Sequence, residues 1–219
     1  MTAIVGTKSE RTRARIVARV APLFNRKGYA GTSLSDMTEA AGLTKGAIYG
    51  NFDGKDEVAL HAFRHNIGGI IAELEGAVRS RDRCADKLRA YTETYRRIYP
   101  AIAAGGGCPL ANTLCDADDT HPGLRAEAGR MLARWRDTIA RIVARGIASG
   151  ECAPSADPRR AAMTIITLIE GGALLAAGAR SADYFMNALD RVDDYIDALC
   201  RHDDGGAPPQ RYITTRRRR

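Results

Sequence analysis

The chain has 219 residues, 45% apolar and 27% charged, which is enough apolar material for a real core and the balance of a globular protein. Its net charge of +7 is uneven: residues 1–64 hold ten Lys/Arg against six Asp/Glu, residues 205–219 hold five Arg and no acid, and the stretch between is net −2. A basic front on a mildly acidic body points to a polyanionic partner at the front.

The opening "MTAIVGTKSERTR" lacks the apolar run of a secretory signal. The five cysteines, Cys84, Cys108, Cys115, Cys152 and Cys200, are odd in number and contain no CxxC pair. That spacing argues against a disulfide framework or a structural zinc site and for a reducing cytoplasm. The longest apolar stretch, 163–179, is interrupted by Glu170 and is shorter than the roughly 20 residues of a membrane span. It is read as a buried helix, with no membrane partner.

In chain order, almost every segment reads as helix. Over 9–27, Ile16, Val20 and Phe24 form a stripe widened by Val17 and Leu23, while Arg11, Arg15 and Arg19 take the opposite face. Gly28 caps that helix. "SLSDMTEAA" is a short helix capped by Ser33 or Ser35, with Leu34, Met37, Ala40 and Ala41 inward. Gly42-Leu43 turns the chain and Thr44 opens a third helix, which is the shape of a helix-turn-helix. A helix capped by Asp53 runs to about Val78, followed by helices over 84–101, 109–116, 122–148, 158–180 and 182–202. The spacing of Glu57, His61 and His65 suits metal ligands, but no further Cys or His lies nearby, so they are read as a polar helix face. The tail 205–219 is basic, poor in apolar residues and expected to be disordered.

The last two helices suggest association. Helix 158–180 is apolar nearly all round, with Gly171, Gly172 and Leu175 in its middle, and helix 182–202 has a stripe at Phe185, Leu189, Val192 and Ile196. These residues are expected at a homodimer interface, with packing inside one chain as the alternative.

The stretch "TRARIVARVAPLFNRKGYAGTSLSDMTEAAGLTKGAIYGNFDGKDEVALHAF" resembles the DNA-binding domain of the TetR family of bacterial transcriptional repressors. The likeness lies in the Gly-Tyr-x-Gly-Thr-Ser break, the Ala-Gly-Leu-Thr-Lys-Gly turn, the Tyr49-x-x-Phe52 pair and Lys55 followed by acids; Asn51 departs from the His or Tyr common before the Phe. The resemblance implies an all-α homodimer of about nine helices per chain. A helix-turn-helix domain (1–54) would read a palindromic double-stranded operator. A helical bundle (55–204) would bind a small-molecule effector and dimerise. DNA contacts would come from Thr44, Lys45, Gly46, Ala47 and Tyr49, flanked by Thr32, Ser33 and Lys55.

"GGGCPLANTLCDAD" resembles a Gly-Cys-x-Leu segment of TetR-like regulators, some of which sense electrophiles or oxidants through that cysteine, here Cys108. At a helix N-terminus its thiol is expected to be acidified by the dipole; an ordinary capping or packing role is the alternative. His65, Asn112, Trp135 and the one-faced series Tyr91, Tyr95 and Tyr99 are candidate pocket residues, open equally to a core role. No cofactor, no metal and no catalysis are expected. A Cys108-dependent enzyme would need a catalytic base, and only His121 lies near it in sequence without any signature around either residue.

Overall fold

Thr7 accepts the amide of Glu10 while Glu10 returns a bond to the Thr7 amide, and this reciprocal cap starts the first helix, α1 (Lys8–Lys27). The computed structural model describes residues 7–200, among which there are nine α-helices and no strand. The others are α2 (Leu34–Ala41), α3 (Lys45–Tyr49), α4 (Lys55–Arg79), α5 (Cys84–Ala104), α6 (Pro109–Asp116), α7 (Pro122–Ala148), α8 (Pro158–Ala179) and α9 (Asp183–Leu199). The expected basic tail, 205–219, lies outside the described residues.

Local chemistry explains most boundaries. Ser33, not Ser35, caps α2 in a box with Asp36. Pro109, Pro122 and Pro158 each open a helix, where a missing N–H costs nothing. Asp53 is not the cap of α4: Gly54 takes that position, and the Asp53 amide is itself satisfied by Glu57 Oε2 at 2.7 Å. Helix α5 runs on to Ala104, beyond the expected end at 101, and α9 stops at Leu199.

Three apolar clusters hold the chain together. Ile16, Val17, Val20, Met37, Ala41, Ile48, Phe52 and Val58 form the core of the N-terminal head. A larger core joins α5, α7, α8 and α9 through residues such as Leu88, Ile139, Ile165 and Leu189. Between them, Phe63, Ile67, Leu110 and Leu124 form a third cluster. Helix α4 takes part in all of this: Val58 at its start packs in the head and Leu74 near its end packs in the large core. By composition α8 is long and apolar enough to cross a bilayer, but it packs along α7 and α9.

Candidate DNA-binding head and effector cavity

The turn between α2 and α3 is made by Gly42 in the left-handed conformation, φ 64°, its amide bonding back to Glu39 and Thr38. Thr44 then caps α3, its hydroxyl accepting the Ala47 amide at 3.2 Å. Ile48 and Phe52 are buried and anchor the helix, leaving Thr44, Lys45, Gly46 and Tyr49 exposed and Ala47 half-buried. With the Ala47 amide already capped, the Lys45 and Gly46 amides remain without an acceptor among the described residues. Lys45 Nζ stands 6.0 Å from the Tyr49 ring, so a cation and a phenol share one exposed end.

Helix α3 is only five residues long, and an arginine on α1 fixes where it ends. Arg13 donates to the Asn51 carbonyl and to Glu57, approaches His61 Nε2 at 3.1 Å, and lies 4.3 Å over the Phe52 ring. This contact holds the Glu57 carboxyl below its usual range and uses both Glu57 and His61 in the head, while His65 is exposed on α4. Sequence reasoning passed over Arg13, which is not part of the apolar stripe; an arginine one turn before the buried Val17 carries no local signal of a partner 38 residues away.

Thr32 is a correction to the expected phosphate contacts. It is completely buried, and its hydroxyl donates to Gly28 O at 2.7 Å, so it braces the turn from within. Ser33 is exposed but engaged in its cap, and Lys55 lies 4.2 Å over the Tyr29 ring.

The head meets the rest of the chain through polar groups. Asn25 Nδ2 donates to Gly105 O (2.8 Å) and Gly107 O (3.1 Å), and Asn112 Nδ2 donates to Asn25 O (3.1 Å). The Tyr29 amide donates to Asp116 at 2.7 Å, and its ring packs edge-on against His121, 4.4 Å between centroids. Asn112 is thus a strut between α6 and α1; it lines the cleft at the head–body joint and not the apolar cavity of Tyr91, Tyr95 and Trp135.

A small cavity of about 90 Å³ lies between α4, α5, α7 and α8, walled by Ile67, Ile71, Leu74, Tyr91, Tyr95, Leu110 and Trp135. Two buried polar atoms at this wall have no partner among the described residues: Trp135 Nε1, a donor, and Glu170 Oε2, an acceptor. The other Glu170 oxygen accepts from Cys108 Sγ at 3.3 Å. Burial pushes the Glu170 carboxyl up to about 7, and the thiol bond offsets this only in part. Tyr91, Tyr95 and Trp135 are therefore together as expected, whereas Tyr99 stacks on Phe185, 4.9 Å between centroids, and His65 is outside.

Cys108 does sit at the cap position of α6, but its thiol is not acidified. It is buried, and burial followed by the Glu170 carboxylate pushes its pKa well above the usual thiol value. Desolvation outweighs the pull of the short helix and favours the protonated thiol, the opposite of the direction expected from the helix end alone.

The expected dimer residues divide. Phe185, Leu189, Val192 and Ile196 are buried inside one chain, and Gly172 is the close crossing of α8 on α9, where an added Cβ would lie 2.4 Å from Ala188 Cβ. A stripe already covered by its own chain has nothing left to offer a partner, so these five are intrachain packing. Gly171 and Leu175 are exposed, the latter by 57%, beside Leu174 (54%), Met163 (47%) and Tyr184 (51%).

A three-helix head with a capped, exposed recognition helix, followed by a six-helix body, defines a helix-turn-helix DNA-binding protein. Comparison with known proteins agrees. The family description "Bacterial regulatory proteins, tetR family" matches residues 16–62, and "Tetracyclin repressor-like, C-terminal domain" matches residues 84–192. A TetR-family transcriptional regulator from Cytophaga hutchinsonii is 38% identical, with a TM-score of 0.84 over 89% of this chain and 97% of that one. A TetR regulator from Chloroflexus aurantiacus is 36% identical, with a TM-score of 0.79 over 86% and 96%. The HTH-type transcriptional regulator TtgR of Pseudomonas putida is 24% identical over 75% of this chain and 79% of its own. The chain belongs to the TetR family and is a DNA-binding transcriptional regulator, a class in which repression and homodimers are typical.

Proposed function

We infer that the protein is a ligand-responsive repressor: a homodimer whose two heads hold a palindromic operator until a small molecule enters the cavity. The observation that carries this reading is that α4 and α6 each touch both places. Ile67, Ile71 and Leu74 of α4 and Leu110 of α6 wall the cavity, while Lys55 of α4 lies over Tyr29 and Asn112 and Asp116 of α6 hold Asn25 and Tyr29. At about 90 Å³ the cavity is smaller than the roughly 300–1,000 Å³ of drug-sized ligand sites, so such a ligand enters by widening it. A larger, more open cleft of about 410 Å³ lies at the head–body joint, but its asparagines are already engaged with the backbone. The unpartnered Glu170 oxygen and Trp135 N–H favour the smaller cavity as the effector site.

In this reading residues 1–54 are the reading head and 55–204 the sensing and dimerising body. Lys45 reaches a guanine edge or a phosphate, the Tyr49 hydroxyl reaches a phosphate, and Thr44, Gly46 and Ala47 keep the helix end slim enough for the major groove. The dimer forms through the exposed side of α8, where Met163, Gly171, Leu174 and Leu175 recur at helical spacing. The test is binding of purified protein to the DNA upstream of its own coding sequence, at several salt concentrations. Tight binding to one palindrome supports the reading. Binding insensitive to sequence points instead to an architectural protein, and no binding removes both.

A further inference from the structure

Three cysteines far apart in the sequence meet at the end of the body remote from the head. Cys84 opens α5, Cys152 lies in the loop after α7, and Cys200 follows α9. Cys84 Sγ is 3.3 Å from Cys152 Sγ, Cys152 Sγ is 2.9 Å from Cys200 Sγ, and all three fall within 4.8 Å of one another. The head is met at the opposite ends of α5 and α7, by Ala104 O accepting from Arg26 and by His121 against Tyr29, and 21 and 27 helical residues place the cluster on the order of 30–40 Å from there.

The backbone around the sulfurs is fixed. The Cys84 amide donates to Glu151 Oε2 at 2.7 Å, and the Ala153 amide donates to Leu199 O at 3.0 Å. The Glu151 and Cys152 amides both donate to Gly146 O, at 2.7 and 3.0 Å. A Cβ on Gly146 would lie 2.6 Å from the Cys84 and Cys152 sulfurs alike, so the sulfurs occupy the space a side chain would fill.

We propose that Cys84, Cys152 and Cys200 form a three-thiolate site for one soft, thiophilic ion, with trivalent arsenic the best match. Only sulfur donors meet here among the described residues, which selects soft ions over hard ones, and a three-donor set differs from the four-ligand pattern of structural zinc. Three sulfurs held about 2.3 Å from an ion in their own plane would stand about 4.0 Å apart. Two of the observed separations are shorter than this, which suits a pyramidal centre with its three sulfurs on one side better than a planar one. With arsenous acid, three As–O bonds break and three As–S bonds form, each thiol proton leaves with a hydroxide as water, and no oxidation state changes. The expectation of no metal site rested on spacing along the chain, which cannot show a site assembled from three helix ends.

The test uses the reduced full-length protein without air, titrated with arsenite alone and followed by arsenic stoichiometry and free-thiol count. One arsenic per chain is expected, with free thiols falling from the five of the sequence to two. A Cys108→Ser/Cys115→Ser variant keeps that stoichiometry. Cys200→Ser, at a half-buried helix end, and Cys152→Ser each lose it, with circular dichroism reporting that both remain folded. Protection of only two thiols, retained binding in folded Cys200→Ser, or a Cys152–Cys200 disulfide formed in air with no arsenic bound under reduction would each overturn the proposal.

Discussion

Asp116, the last residue of α6, accepts the backbone N–H of Tyr29 at 2.7 Å and so fastens a cavity-lining helix to the segment leading into the helix-turn-helix. Gly28 makes this approach possible. Its φ is +70°, and an added Cβ would lie 2.4 Å from Asp116 Oδ1. Gly28→Ala therefore combines left-handed strain with a clash, and is expected to lower stability by about 1–3 kcal/mol. Urea denaturation measures this. Asp116→Ala removes the acceptor of the Tyr29 amide without straining the backbone, and is expected to leave DNA affinity within a few-fold while weakening any effector response.

Lys45 and Tyr49 are exposed, so their replacement tests the DNA face without removing a buried side chain. Lys45→Ala is expected to cost about 1–3 kcal/mol of operator affinity and to reduce the salt slope by about one, with the melting temperature unchanged. Lys45→Glu with Tyr49→Phe is expected to abolish occupancy. Fluorescence anisotropy across a salt series checks both.

Glu170 gives the body a pH dependence of definite sign. Unfolded, it titrates near 4.5; folded, burial raises it to about 7. Between these values the folded chain keeps a proton that the unfolded chain has lost. This contribution to stability is full below about 4.5 and declines as pH rises through about 7, by at most about 3 kcal/mol. Glu170→Gln, always neutral, is expected to flatten that part of a denaturation–pH profile.

The two faces of the last helices are expected to respond differently. Leu174→Glu with Leu175→Glu, on the exposed side of α8, should give monomers by sedimentation equilibrium with the helical content intact. Leu189→Ala, in the covered stripe of α9, should instead destabilise each chain by about 2–5 kcal/mol. Dimers persisting in the double Leu→Glu variant would move the interface elsewhere.

The α-helical class, the nine-element order and the helix-turn-helix are legible in the sequence because local chemistry sets them. Gly42 suits the left-handed turn, Thr44 caps the amide three residues on, and prolines 109, 122 and 158 fit the first turn of a helix, where no N–H is needed. Periodicity also identifies Phe185, Leu189, Val192 and Ile196 as one apolar stripe. It says nothing of what covers that stripe, since the same spacing serves a partner or the chain's own α5 and α8.

The tertiary structure alone decided what depends on distant neighbours. It put the Thr32 hydroxyl on the Gly28 carbonyl instead of toward DNA, brought Arg13 to the end of α3, and raised the Cys108 thiol by burial beside Glu170 where the helix end by itself would have lowered it. It also gathered three sulfurs from residues 84, 152 and 200. Caps and periods act over one or two helical turns, whereas desolvation and side-chain pairing are set by whichever segments the fold packs alongside.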